Sequence, residues 1–204
     1  MLAHNGEINT IKGNTNWMRA HETRMHHPLF DGHISDLKPV IPSGSSDSAA
    51  LDATFELMCR AGRSAPMVKT MLIPEAWSGN TLLPDGYADL YSYCNSVMEP
   101  WDGPAAIAAY DGRWVVGGMD RNGLRPMRYV VTGDGLLIAG SEAGMVTIDE
   151  AVVREKGALG PGQMIAVDMK KGLLFHDVEI KDKLAKALPF GEWVGKINDM
   201  DEVL

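Results

Sequence analysis

Apolar positions along the chain change period near residue 100. Before it they recur at helical spacing, and after it they come in short runs broken by glycine-containing turns. Leu51, Phe55 and Met58 stand at i, i+4 and i+7, which places them on one helix face. Residues 45–48, Ser-Ser-Asp-Ser, supply N-cap side chains ahead of that face, and Gly62 supplies a stop behind it. An earlier helix is predicted from Asn14 or Thr15 to about Met25, followed by a long loop marked by Pro28, Gly32 and Pro39. A short helix is predicted over 66–72, ending before Pro74. Pro84-Asp85-Gly86 opens another, running to about Met98 and closed by Pro100.

Beyond residue 100 the pattern is that of strands. Runs 105–110 and 113–119 flank Asp111-Gly112, a two-residue hairpin signal. Runs 127–132 and 136–140 flank Gly133-Asp134-Gly135, and runs 164–168 and 173–176 flank residues 169–172. Successive hairpins imply antiparallel pairing and disfavour a doubly wound parallel sheet. Helices followed by strands make the expected class α+β. The first residues, Met1-Leu2-Ala3, read as a strand running straight into a polar turn, so the expectation is a chain that opens inside a domain. The tail from Pro189 is mixed and acidic and is expected to lead into a linker.

Composition narrows the classes. Apolar residues make up 45% and charged residues 23% of 204 positions, an ordinary globular mix. Nineteen Lys+Arg against 27 Asp+Glu give a net charge of −8 without a basic patch, which argues against a nucleic-acid or anionic-membrane surface. No apolar run approaches the roughly 20 residues of a membrane span. Two cysteines, Cys59 and Cys94, make no disulfide framework and fit a reducing compartment. The expectation is the cytoplasm, or a plastid if the source is a photosynthetic eukaryote.

Each candidate for chemistry has a plain structural counterpart. In His4-Asn5-Gly6-Glu7 the Asn amide and the Gly N–H are two donors able to form an oxyanion hole; Asn-Gly is equally a standard turn pair. Asp47 either belongs to a helix cap or, kept ionised by the helix dipole, receives a substrate ammonium. His4, His21, His26, His27 and His33 match no zinc spacing. Arg121 and Arg125, in residues 120–126, either pair with carboxylates such as Glu142 or bind an anionic ligand. A nucleophile is missing: Cys59 and Cys94 both fall inside predicted helices, and no Gly-x-Ser-x-Gly elbow is present.

Taken together, these strings resemble a known family. Leu2-Ala3-His4-Asn5-Gly6-Glu7-Ile8-Asn9-Thr10, with Asn16-Trp17-Met18-Arg19 behind it, is similar to the glutaminase (type 2 glutamine amidotransferase) domain of glutamate synthase large subunits. Further strings stand in the family's order: Ser46-Asp47-Ser48-Ala49-Ala50-Leu51-Asp52, Leu72-Ile73-Pro74-Glu75-Ala76-Trp77, residues 98–105, residues 120–126 and Ser141-Glu142. The resemblance spans Met1 to about Trp193, leaving 194–204 as a tail or the start of a linker. It implies an N-terminal-nucleophile hydrolase fold, αββα with antiparallel sheets between helical layers, here incomplete. It implies a cysteine nucleophile at a mature N-terminus, with its own α-amine as base, and an arginine for the glutamine carboxylate, both expected upstream of Met1. Carried over residue by residue, Asn5 and Gly6 match the oxyanion pair, Asp47 the carboxylate for the α-ammonium, and Glu7 a pocket residue.

The reaction so implied splits glutamine into glutamate and ammonia and passes the ammonia to 2-oxoglutarate. Reduction of the resulting imine needs FMN and an iron–sulfur cluster, expected in other domains and not in this chain. The electron donor is NADPH, NADH or ferredoxin, delivered through a donor subunit or a ferredoxin partner. No metal, nucleic acid or membrane partner is expected. Without the cysteine the chain by itself is expected to be inactive. Two rival readings are a glutamine-binding or interaction module without catalysis, and the glutaminase of an amidotransferase with another acceptor.

Overall fold

The computed structural model describes residues 1–197; residues 198–204, most of the expected tail, lie outside the described residues. The chain begins with strand β1 (Leu2–Gly6), then helices α1 (Ile11–Glu22), α2 (Asp47–Arg60), α3 (Ala65–Leu72) and α4 (Tyr87–Val97). The strand half follows: β2 (Ala105–Tyr110), β3 (Trp114–Met119), β4 (Arg128–Thr132), β5 (Leu137–Gly140), β6 (Val153–Ala158), β7 (Met164–Asp168) and β8 (Leu173–Phe175). Helices α5 (Asp177–Ala185) and α6 (Phe190–Val194) close it. The α+β class and the antiparallel pairing expected from the hairpins are both present.

The strands form a five-stranded sheet, β1-β2-β3-β7-β8, and a three-stranded sheet, β5-β4-β6, all antiparallel. Period-2 alternation gives the large sheet two different faces. Ile107, Ala109, Val116, Met164 and Ala166 join the main core with Leu51, Phe55, Val68, Met71, Leu72 and Leu90 from the helices. Ala106 and Met119 face the other way, onto Met127 and Leu159 beside β4 and β6. The space left between the two sheets is a cleft.

Some boundaries move from their predicted places. Helix α1 starts at Ile11, earlier than Asn14 or Thr15, because Thr10 O accepts the Asn14 amide and the Thr10 hydroxyl donates to Asn14 Oδ1 at 2.6 Å. It stops at Glu22, where the Thr23 hydroxyl takes the Ala20 carbonyl. Strand β6, Val-Arg-Glu-Lys-Gly-Ala, was not predicted: its half-buried and exposed positions alternate, but the half-buried set includes Glu155 and Gly157, so the run is not apolar.

A buried ionic network locks the helices to the strand half. Lys181 bridges Glu75 at 3.0 Å and Asp177 at 2.8 Å. The Tyr91 hydroxyl donates to Glu75, and Asp177 accepts the Met164 amide. Lys69, 1% exposed, donates to the Gly162 carbonyl at 3.0 Å. Burial pulls its ammonium pKa down to about 7, with the Lys181 charge adding to the effect.

Candidate functional site

The site is built on β1, an outer strand of the five-stranded sheet. Met1 and Tyr110 exchange both backbone hydrogen bonds, and the Glu7 amide donates to Pro104 O at 2.9 Å. In an antiparallel ladder bonded pairs recur every second residue, so Ala3 and Asn5 also bond toward β2, while Leu2, His4 and Gly6 turn their N–H groups outward. Consistent with this, the Ala105 carbonyl opposite Gly6 is taken by the Asp120 amide. The Gly6 N–H therefore points off the open edge of the sheet.

Glycine is obligatory at that point. Gly6 has φ 148°, and a Cβ there would lie 1.8 Å from the Pro104 carbonyl oxygen. Gly103 is equally constrained, since a Cβ on it would lie 2.0 Å from Glu7 O. These two close approaches press residues 5–10 against residues 100–105. Asp102 O also receives the amides of Asn9 and Thr10, so the turn is rigid.

Asn5 and His4 project to opposite faces. Asn5 is exposed and lines the cleft of about 480 Å³ between the sheets, together with Arg125, Ala139, Ser141 and Glu142. Its Oδ1 accepts from the Arg125 guanidinium, which leaves Nδ2 as a donor with no partner among the described residues. His4 turns toward α2, its side chain fully buried, with Nδ1 2.9 Å from Ser48 Oγ and 3.9 Å from Asp47 Oδ2. Its Nε2 is buried without a partner among the described residues.

Asp47 is the first residue of α2, behind Ser46, whose hydroxyl caps the helix by accepting the Ala49 amide. The Asp47 carboxylate spans two elements: Oδ2 accepts the Ile8 amide at 2.9 Å and Oδ1 the Ser48 amide at 2.7 Å. The Ile8 hydrogen bond, more than any other contact, holds its pKa below the usual carboxylate value, against the opposing effect of burial. Its side chain is 24% exposed; Oδ1 also accepts the Ser48 hydroxyl at 3.4 Å, and Oδ2, with the Ile8 amide alone, keeps acceptor capacity. Asp47 thus ties the helix to the residues just after the Asn5–Gly6 turn, from the helical side.

The structure separates the other candidates. Glu7 is exposed and outside the cleft. Arg121 pairs with Asp102 at 2.6 Å, while Arg125 takes Asn5 and not Glu142. His21 pairs with Glu99, His33 with Asp36, and His27 accepts the Leu29 amide. Among the described residues no three His, Cys, Asp or Glu side chains converge as for a metal ion. Burial pushes the thiols of Cys59 and Cys94 up to about 12, which leaves almost no thiolate at neutral pH. The contacts of His4 and Arg125 were not read from the sequence: Arg125 and Asn5 lie 120 positions apart, and no local pattern connects them.

Comparison with known proteins bears on the chain as a whole. The chain is 64% identical over 204 residues to the glutamate synthase [NADPH] large chain of Azospirillum brasilense, covering all of this chain and 14% of that protein. It is 44% identical over 196 residues to the ferredoxin-dependent glutamate synthase of Cyanidium caldarium, covering 95% of this chain and 13% of that protein. The chain thus spans about one-seventh of the length of these relatives. Among solved structures, the glutamine phosphoribosylpyrophosphate amidotransferase from B. subtilis aligns over 86% of this chain and 28% of its own, at 18% identity and a TM-score of 0.42. The family model for class-II glutamine amidotransferases matches residues 1–193, and with that match the chain belongs to the class-II glutamine amidotransferases.

Proposed function

We propose that this chain is part of the glutamine-hydrolysing domain of a glutamate synthase, with residues 1–193 forming the C-terminal part of that domain. The observation that carries the reading is the Asn5–Gly6 turn: a side-chain Nδ2 with its oxygen already occupied, beside a backbone N–H directed off an open sheet edge. Two fixed donors of this kind suit the oxyanion that forms when a nucleophile adds to the glutamine amide carbon.

The remaining roles follow from chemistry and position. Asp47, held ionised by the Ile8 and Ser48 amides, receives the glutamine α-ammonium. Glu7 lies just past the same turn, exposed and outside the cleft between the sheets, where it would border a glutamine bound at the open sheet edge. The nucleophile is neither Cys59 nor Cys94, whose thiols stay protonated; a cysteine from outside these residues, activated by its own α-amine, supplies it. Its thiolate adds to the amide carbon, the C–N bond breaks, and ammonia departs with the proton it needs. Water then hydrolyses the thioester to glutamate.

The ammonia is passed on to 2-oxoglutarate and the product reduced to a second glutamate. FMN and an iron–sulfur cluster supply the reducing chemistry. Two cysteines on separate helices do not make the thiolate set such a cluster takes, and the same reading assigns FMN to other domains as well. An electron-donating subunit or ferredoxin belongs to the same reading, as does a cytoplasmic or plastid setting.

The test is Asn5→Ala in the full-length polypeptide, with glutamine-dependent and ammonia-dependent glutamate synthesis measured side by side. Loss of one oxyanion donor is expected to lower the glutamine-dependent kcat by about 10²–10³, with the ammonia-dependent rate retained. Near-normal glutamine-dependent turnover would overturn the assignment.

A further inference from the structure

An asparagine serves as an oxyanion donor in only one of its two amide orientations. Half a turn about its last bond replaces Nδ2 by Oδ1 in nearly the same shape and sets a lone pair against the developing charge. Asn5 is exposed at the cleft, and its own strand does not choose between the two. The choice is made by a segment 120 positions away, where Arg125 donates through Nη2 to Asn5 Oδ1. A guanidinium has five N–H donors and no acceptor, so it can meet this amide only through the oxygen. The contact therefore fixes which branch of the amide is the oxygen and leaves Nδ2 as the donor.

Arg125 is itself delivered by a built turn. Asp120, 2% exposed, accepts the amides of Asn122, Leu124 and Ala105. Its carbonyl takes the amides of Gly123 and Gly162. Pro126 restricts Arg125 to extended backbone, and Met127 anchors the exit in the second core. Arg125 Nε is buried and has no partner, and its guanidinium makes no ion pair among the described residues. Its positive charge stands beside Asn5 in the same cleft.

We infer that Arg125 is a positioning residue of the oxyanion hole: its donor-only guanidinium holds the Asn5 amide with the NH2 group toward substrate. The inference rests on the reading of Asn5 given above and deepens it. A merely structural Arg125 would be replaceable by any side chain that keeps the turn, and its loss would add to that of Asn5. A positioning Arg125 has nothing left to do once the Asn5 amide is gone.

The experiment uses the full-length enzyme carrying this chain, with glutamine- and ammonia-dependent rates measured for Asn5→Ala, Arg125→Gln, Arg125→Lys and the Asn5→Ala/Arg125→Gln double variant. Arg125→Gln offers either an oxygen or an NH2 to Asn5 and is expected to lower the glutamine-dependent kcat roughly 10- to 100-fold, with KM within about threefold. Arg125→Lys, again donor-only, is expected within about tenfold of the parent. The double variant is expected to be no slower than Asn5→Ala. Should Asn5→Ala leave turnover intact, the oxyanion reading itself fails. If Asn5→Ala lowers kcat while Arg125→Gln does not, or if the two losses multiply, the positioning role is overturned and the reading of Asn5 stands. Where Arg125→Gln loses both rates through misfolding, the Lys variant decides. Retained glutamine-dependent turnover supports the role, and its loss at an intact ammonia-dependent rate overturns it.

Discussion

Replacing Asp120 tests whether one buried carboxylate holds the turn that carries Arg125. Its Oδ2 accepts from Ala105 at 3.0 Å and Leu124 at 3.2 Å, and its Oδ1 from Asn122 at 2.9 Å. Asp120→Ala strips all three donors of their acceptor. Ala105 is 1% exposed, so its N–H carries the full cost of an unsatisfied buried donor, about 1–3 kcal/mol. Asn122 and Leu124 are exposed, and water takes over there at about 0.5–1.5 kcal/mol each. The whole change amounts to about 2–6 kcal/mol of local stability. Asp120→Asn keeps an oxygen for the Ala105–Leu124 pair and turns its NH2 toward the Asn122 amide, so it costs less, about 1–3 kcal/mol. Hydrogen exchange read on peptides spanning residues 103–107 and 121–126 measures this directly. In Asp120→Ala, protection at Ala105 is expected to drop by roughly 30-fold or more, since each 1.4 kcal/mol is about tenfold. Asp120→Asn is expected to fall between it and the parent. Unchanged exchange at Ala105 in Asp120→Ala, or an Asn variant as damaged as the Ala one, would refute the reasoning.

Asp47→Asn is expected to reduce kcat/KM for glutamine by roughly 10- to 100-fold, the worth of one charged hydrogen bond, and to do so through KM; a kcat effect alone would contradict an ammonium contact. Because its folded pKa lies below the ordinary 3.8, the stability Asp47 contributes is present above that value and lost as pH falls through the folded one, so Asp47→Asn is expected to flatten the acid limb of a melting-temperature profile. Lys69 has the opposite sign. With a folded pKa of about 7 against an ordinary 10.5, the unfolded chain binds the extra proton between those values and stability rises with pH, by about 5 kcal/mol at most. Lys69→Met is expected to remove that rise, and a parent-like alkaline profile in the variant would show that the buried ammonium is not its source. Cys59 and Cys94 are expected to react with a glutamine-analogue electrophile more slowly than a free thiol, as mass spectrometry of labelled peptides would show; glutamine-protected labelling of Cys94 would reassign the nucleophile.

Much of the fold was legible in the sequence, because period and punctuation are local properties. Leu51, Phe55 and Met58 declare α2 whatever surrounds them, and Asp111-Gly112 marks the hairpin from β2 to β3, although pairing of Tyr110 with Val115 centres the turn one residue later, on Gly112-Arg113. Strand β6 was not legible, because what makes it a strand is its partner β4 and not the apolarity of its own residues. The site divides the same way. Asn5, Gly6 and Asp47 stand in short motifs that name a chemistry, each with an equally ordinary structural reading. Only the tertiary structure shows that Gly6 turns its N–H off an open edge, that Asp47 reaches across to Ile8, and that Arg125 fixes the Asn5 amide from 120 positions away. Hydrogen bonds between distant segments depend on how the chain is brought together, and neither residue type nor spacing encodes them one motif at a time.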